Sequence, residues 1–95
     1  MKVSFNRFAE QELVAAARYL HAEAGLGEEF LNEYQEWEAQ VRRFPKSCPE
    51  IAPGIRCGYL ARFKYHVTYT IRGDRVRILY VRSVRQEPLR NWLRG

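Results

Sequence analysis

Cationic side chains are concentrated towards the end of the last long apolar segment. In RILYVRSVRQEP (77–88), Arg77, Arg82 and Arg85 fall within nine positions, ahead of a proline. Arginine stays protonated at neutral pH, and its planar fork matches the oxygens of a phosphate. We therefore expect this segment to contribute to a site for an anionic partner, with phosphate as the natural ligand.

The charge of the chain is divided unevenly between its two halves. Residues 1–44 hold five Lys/Arg against eight Glu, net −3, and residues 45–95 hold eleven Lys/Arg against three Asp/Glu, net +8. Such asymmetry points to an anionic partner for the basic half, the alternative being a solvated basic surface.

Length and composition indicate one globular domain, residues 1–95, in a chain that is 46% hydrophobic with thirteen aromatic residues. No apolar run reaches 18 residues and the start lacks the apolar core of a signal peptide, so a cytoplasmic protein with no membrane partner is expected. Cys48 and Cys57 lack metal-ligand spacing, so they are expected to be reduced thiols, and no metal or cofactor is predicted.

A short strand and a helix hairpin are predicted in the first half. Val3 and Phe5 alternate with polar residues, and Asn6 can cap a helix that starts near Phe8. The glycines of AGLGEE (24–29) separate this helix from the next, which Pro45 ends. Each helix has an apolar stripe at steps of three and four: Leu13, Ala16, Ala17 and Leu20, then Phe30, Tyr34, Trp37, Val41 and Phe44.

The second half reads as a loop, three strands and a short terminal helix. The loop is 46–54, the strands are 55–59, 59–71 and 75–83, and the helix starts at Pro88. The order β-α-α-β-β-β-(α) predicts an α+β fold, with the antiparallel helix hairpin packed on one face of an antiparallel sheet.

The Gly73-Asp74 turn predicts how the last two strands pair. A two-residue turn with glycine first sets Arg72 opposite Arg75. In an unbroken hairpin, the numbers of any two residues that lie opposite each other on the two strands then add to 147. Five polar residues are thereby expected together on the uncovered face, at the open end of the hairpin: Arg62, Lys64, His66, Ser83 and Arg85. The same pairing predicts that Arg82 faces the helices, where Glu33, Glu36 or Glu38 would be a partner.

This predicted cluster has two chemical interpretations. Like charges opposite each other on a sheet are destabilising, which favours a phosphate-binding site over a solvated face. Cleavage of RNA would in addition need a proton shuttle, and His66 is the candidate beside the cations Lys64 and Arg85. A lone histidine on a strand is as compatible with a structural or merely exposed role.

The chain resembles the RelE/ParE superfamily of toxins from bacterial type II toxin–antitoxin (TA) systems. The resemblance covers nearly the whole length and is carried by the element order and by four segments: AEQELVAAARYL, LGEEFLNEYQ, IRCGYLARFKYHVTYTI and RVRILYVRSVRQEP, the last followed by Trp92. It is closer to ParE, and Arg56 is the arginine that precedes the strand in that pattern. Ser83 departs from the histidine of many ParE-like members, and Trp92 from the C-terminal tyrosine of many RelE-like nucleases.

The resemblance implies a function and partners. It implies a toxin that inhibits DNA gyrase and that forms a hetero-oligomer with a cognate antitoxin. Together with the pairing predicted above, it assigns binding of the target or of phosphate to Arg56, Arg62, Lys64, His66, Ser83 and Arg85. The alternative that it implies is a ribosome-dependent mRNA endonuclease with Lys64, His66 and Arg85 as catalytic residues. A non-toxic nucleic-acid-binding module is the third interpretation.

Overall fold

The computed structural model describes residues 1–86, and the α+β fold is as expected. The elements are β1 (Lys2–Phe5), α1 (Arg7–Ala24), α2 (Gly27–Arg43), β2 (Glu50–Ala52), β3 (Ile55–Leu60), β4 (Tyr65–Arg72) and β5 (Arg75–Ser83). The short strand β2 lies within the segment that the sequence predicts to be a loop. The helix predicted from Pro88 lies outside the described residues.

Residues at its two ends fix the length of α1. The Asn6 side chain accepts a hydrogen bond from the Phe8 backbone N–H at 2.8 Å, which confirms the predicted cap. Gly25 ends the helix in the left-handed conformation, φ 68°, and its N–H donates to the His21 carbonyl at 2.9 Å. The next residues start α2, so the two helices form the expected hairpin.

The apolar stripe of α2 supplies much of the core. Phe30, Tyr34 and Val41 are buried, and the partly buried Trp37 lies against β3. Phe44, the last residue of the predicted apolar stripe, does not join this core, because it is 56% exposed beyond the end of the helix. Its ring lies beneath the Arg43 guanidinium instead.

The five strands form one mixed sheet in the order β1-β5-β4-β3-β2. The expectation of a wholly antiparallel sheet is wrong at one edge, where β1 pairs with β5 in parallel. A parallel pair needs a long crossover connection, which the helix hairpin and the later strands provide here. The helices cover one face of the sheet, and this face and the helices enclose the core.

Residues 59–71 do not form the single strand that their alternation predicts. The chain turns at residues 61–64, and the turn separates β3 from an antiparallel β4. Lys64 adopts φ +60°, and its N–H donates to the Leu60 carbonyl at 2.8 Å, closing the turn. Leu60 and Tyr65 pair on the core side, so the core-facing residues are even-numbered in β3 and odd-numbered in β4, and the turn breaks the alternation of faces.

The predicted pairing of β4 with β5 is confirmed near the turn and wrong beyond it. Arg72 pairs with Arg75 and Tyr69 with Ile78, as expected. A bulge follows, in which Leu79 is an extra residue on β5, and the later pairs are therefore Thr68 with Tyr80, Val67 with Val81, His66 with Arg82 and Tyr65 with Ser83.

The bulge exchanges the two faces of the end of β5. Without it, Arg82 would face the helices and Val81 would face outwards, as the unbroken register predicts. With it, Val81 joins the core and Arg82 takes its place opposite His66 on the other face. Burying an apolar side chain in place of a guanidinium is the physical reason for the correction.

Candidate functional site

The predicted single cluster of cations is divided between the two faces of the sheet. Lys64, Ser83 and Arg85 line a cavity on the side of α1. His66 and Arg82 lie on the opposite face, which we call the outer face. The prediction that these residues share one face is therefore wrong. The Leu79 bulge moves Ser83 to the side of the helices, and the turn 61–64 places Lys64 there.

The cavity beside α1 has a volume of about 320 Å³. It is lined by Tyr19, Leu20, Phe63, Lys64, Tyr65, Ser83 and Arg85. A second cavity of about 250 Å³ continues along α1 and is lined by Glu12, Ala15, Ala16, Tyr19, Tyr65, Val81 and Gln86. Tyr19 and Tyr65 border both cavities, and we call the two together the α1 groove.

The turn 61–64 places Lys64 at the cationic end of the α1 groove. The Arg62 backbone N–H donates to the Glu33 carboxylate at 2.9 Å, which ties the turn to α2. The Val84 N–H donates to the Lys64 carbonyl at 3.0 Å, which ties it to the end of β5. Two elements thus fix the backbone from which the Lys64 ammonium extends.

A second local structure places Arg85. The Arg85 N–H donates to the Ser83 Oγ at 3.2 Å, and the Ser83 N–H donates to the Gln86 Oε1 at 2.8 Å. The Gln86 N–H donates to the Ser83 carbonyl at 3.1 Å. Ser83 therefore organises the turn that carries Arg85, a role that its backbone and hydroxyl perform together.

Glu12 supplies an acceptor for a backbone N–H of β5. Strand β1 ends opposite Ile78, and among residues 1–86 no other strand pairs with β5 beyond that point on this edge. The Glu12 carboxylate on α1 accepts the Val81 N–H at 3.1 Å and occupies this place. An acidic group therefore stands at the end of the α1 groove away from Lys64 and Arg85.

The outer face carries a different set of groups. His66 is exposed, and its ring lies 5.3 Å from that of Tyr59, centroid to centroid. Tyr59 is half exposed, and Arg82 is the residue that pairs with His66. Tyr59 and His66 together present an aromatic ring and an imidazole on this face, which suits a planar partner.

Arg62 and Arg56 do not join either set. The Arg62 guanidinium stacks on the Phe63 ring, 5.0 Å from its centroid, at the exposed turn. The Arg56 guanidinium donates to the Lys46 carbonyl at 3.1 Å and to the Cys48 carbonyl at 2.6 Å. It also pairs with Glu50 at 3.5 Å, so its contacts hold the segment before β2 in place.

The two cysteines are free thiols in the structure. Burial raises the pKa of the Cys57 thiol, which opposes formation of the reactive thiolate. The hydrogen bond with Thr68 lowers this pKa by a smaller amount. Within residues 1–86, no three His, Cys, Asp or Glu side chains are grouped so that they would hold a metal ion. Nor is any helix within that range long and apolar enough to cross a membrane.

Sequence reasoning missed the aromatic and acidic members of the α1 groove. Tyr19 is 58% exposed and lies between Ala17 and Leu20 of the apolar stripe of α1. A large aromatic side chain on the exposed side of this helix is the signal that the sequence offered. The contact of Glu12 with β5 carries no local signal, because it depends on where β1 ends.

No family model and no curated protein matches the chain. Among solved structures, it is similar to a chain of the "Chromosomal ParDE TA system from P. aeruginosa", with a TM-score of 0.65 and 23% sequence identity. The match covers 88% of this chain and 96% of that chain. The protein therefore has the fold of a component of a ParDE TA system, which confirms the fold that its resemblance to the RelE/ParE superfamily implies.

Proposed function

We propose that the protein is the toxin of a bacterial type II TA system, that it inhibits DNA gyrase in the cytoplasm, and that a cognate antitoxin neutralises it. The observation that carries the proposal is the likeness of fold to a ParDE chain over 88% of the length. The basic second half, net +8, adds a surface suited to a target that holds DNA.

The positions of the cationic residues favour action by binding over cleavage of mRNA. The nuclease alternative assigns catalysis to Lys64, His66 and Arg85 acting on one phosphate. His66 lies on the outer face, whereas Lys64 and Arg85 line the α1 groove on the other. A general acid or base must come within hydrogen-bond reach of the proton that it transfers, and these three groups do not share a face.

We assign contact with the target to the open end of the β4–β5 hairpin. Arg62, His66 and Arg85 are exposed there, and Lys64 and Ser83 complete the end on the side of the helices. Arg56 is the weakest member of the predicted set, because its guanidinium already bonds two carbonyls of its own chain.

Induction of the protein in bacteria tests toxicity, and a supercoiling assay with purified gyrase tests the target. Growth arrest that is relieved by the product of an adjacent small reading frame is the expected result. Blocked supercoiling or trapped cleaved DNA is expected in vitro. Arrest with unaffected gyrase, accompanied by cut mRNA in programmed ribosomes, would instead support the nuclease. Absence of growth arrest would instead support the third interpretation, a non-toxic nucleic-acid-binding module.

Paired charge variants locate the surface that acts on the target. Lys64→Gln with Arg85→Gln removes two cations at the open end. Arg72→Gln with Arg75→Gln removes two exposed cations beside the Gly73 turn, at the other end of the hairpin. Inhibition should fall only with the first pair. An equal loss with both would show that overall charge, and not this end of the hairpin, is responsible.

A further inference from the structure

We propose that three cations beside the β4–β5 turn, on the outer face of the sheet, bind the phosphate backbone of duplex DNA. They are Lys2 on β1, Arg75 on β5 and Arg72 on β4, and we call them the cation row. The row lies at the opposite end of the hairpin from Lys64 and Arg85. It is therefore a second contact, apart from the surface that we assign to gyrase.

The register of the strands places the three cations side by side. Lys2 pairs with Arg75 in the parallel ladder, and Arg75 pairs with Arg72 in the antiparallel one. The adjacent residues on the three strands pack in or against the core: Val3, Ile71 and Val76. Since side chains alternate between the two faces of a sheet, all three cations point to the outer face. Neighbouring strands are about 4.8 Å apart, so the row is about 10 Å long.

The three side chains are exposed and have no acidic partner. Within residues 1–86, none of them forms an ion pair or a side-chain hydrogen bond. Asp74, in the turn between Arg72 and Arg75, is exposed and pairs with neither of them. Like charges opposite each other on neighbouring strands are destabilising. Because nothing in this part of the chain compensates the repulsion, the row is suited to an anionic ligand.

The residues beside the row favour a nucleic acid over an acidic protein. The next outer-face residues on the three strands are Ser4, Thr70 and Arg77, and Arg77 donates to the Ser4 Oγ at 3.4 Å. Protein–protein interfaces have an apolar centre, whereas protein–DNA interfaces are more polar and much more positively charged. Three cations with three polar neighbours supply the second kind of surface.

The density of charge on duplex DNA suits a row of this length. The duplex carries one negative charge about every 1.7 Å along its axis, so a row about 10 Å long faces several phosphates at once. A guanidinium fork matches the oxygens of a phosphate, and the Lys2 ammonium adds donors at one end of the row. Contacts with phosphates carry no sequence information, so we expect binding that is independent of DNA sequence.

Fluorescence anisotropy of a labelled duplex of about 20 base pairs tests the proposal, with salt varied from about 50 to 200 mM. Each phosphate contacted adds about 0.9 to the slope of log K against log salt. Arg72→Gln with Arg75→Gln should therefore lower the magnitude of this slope by about 1.8, and added Lys2→Gln by about 0.9 more. Over this range of salt, the unaltered protein should lose about 12-fold more affinity than the double variant.

Arg7→Gln with Arg18→Gln is the matched control. Both arginines are exposed on the same surface of α1, in the helix layer, and their replacement changes the net charge by the same amount. The salt slope of this control should equal that of the unaltered protein. Far-ultraviolet circular dichroism shows whether each variant is folded, and Lys2→Gln alone repeats the test from another strand if the double variant is not.

Three results would overturn the proposal. They are an unchanged salt slope in the row variants, an equal change in the control, and a larger loss of affinity by the row variants for a deca-glutamate peptide or for phosphatidylglycerol vesicles than for the duplex. The last result would assign the row to an acidic protein or to a membrane surface. The titration contains no gyrase, so DNA binding by the row can fail where inhibition of gyrase is found, and can succeed where it is not.

Discussion

Gly58→Ala tests the packing of α2 on β3, which carries the turn 61–64. A Cβ at residue 58 would lie 2.2 Å from Trp37 Nε1, 2.5 Å from Cε2 and 2.6 Å from Cζ2. Carbon atoms in contact are about 3.5–4.0 Å apart, so the indole would have to move by roughly 1 Å or more. The same ring packs edge-on against Tyr69, with centroids 5.8 Å apart, and a displaced indole would lose part of this contact.

The expected cost follows from these distances. Overpacking a well-filled site costs about 1–3 kcal/mol, and a lost aromatic pair adds about 0.5–1.5 kcal/mol. Alanine is favoured over glycine within a strand by about 0.5–1 kcal/mol, which offsets part of the cost. We expect a net loss of about 2 kcal/mol in the free energy of unfolding, or about 8–16 °C in Tm for a domain of this size.

Urea unfolding followed by far-ultraviolet circular dichroism measures this loss, and a double-mutant cycle identifies its cause. In a Trp37→Leu background the obstructing ring is absent, so adding Gly58→Ala should cost less than about 0.5 kcal/mol. A Gly58→Ala variant as stable as the unaltered protein would refute the reasoning. So would an equal loss in both backgrounds, because the backbone and not the indole would then be responsible.

Variants at three further positions test other contacts of the fold. Asn6→Ala removes the cap of α1 and should lower the free energy of unfolding by about 1 kcal/mol in denaturant titrations, whereas Asn6→Asp should retain most of it. Gly73→Ala places a Cβ at φ +60° in the β4–β5 turn and should cost about 1 kcal/mol by the same assay; no loss would contradict the turn. Burial chiefly, and then the Glu38 carboxylate, raise the pKa of the Tyr34 hydroxyl, so the unfolded chain releases this proton at lower pH than the folded one. Stability should therefore fall as the pH rises above about 10, and the slope should be smaller in Tyr34→Phe, as measured by unfolding at a series of pH values.

Local signals in the sequence were enough to predict the helices and the hairpin turn. Asn6, the glycines around residue 25 and Pro45 act through their own backbone chemistry, so their effects need no knowledge of the rest of the fold. The Gly73 turn belongs with them, because a two-residue turn sets the first pairs of the hairpin.

The strands β2, β3 and β4 depend on tertiary contacts that a local sequence pattern does not reveal. Residues 59–71 keep a period of two across a four-residue turn, so alternation alone cannot reveal the break between Leu60 and Tyr65. The short strand β2 is stabilised by its pairing with β3 and by the contacts of Arg56, not by its own composition. In both cases tertiary contacts decide the structure.

The Leu79 bulge shows why the candidate site was only partly predicted. Ile78, Leu79, Tyr80 and Val81 are all buried, so this run has no polar residue to indicate which side chain faces which way. One inserted residue then moves every later side chain of β5 to the other face. The sequence identified the residues at the open end of the hairpin, but their division between the α1 groove and the outer face depends on the bulge and on the turn 61–64. The open end of the β4–β5 hairpin therefore presents two surfaces of different chemistry. Lys64 and Arg85 lie towards the helix and the His66 imidazole lies away from it, so substitution of Lys64 and Arg85 changes one of the two surfaces and leaves the other intact.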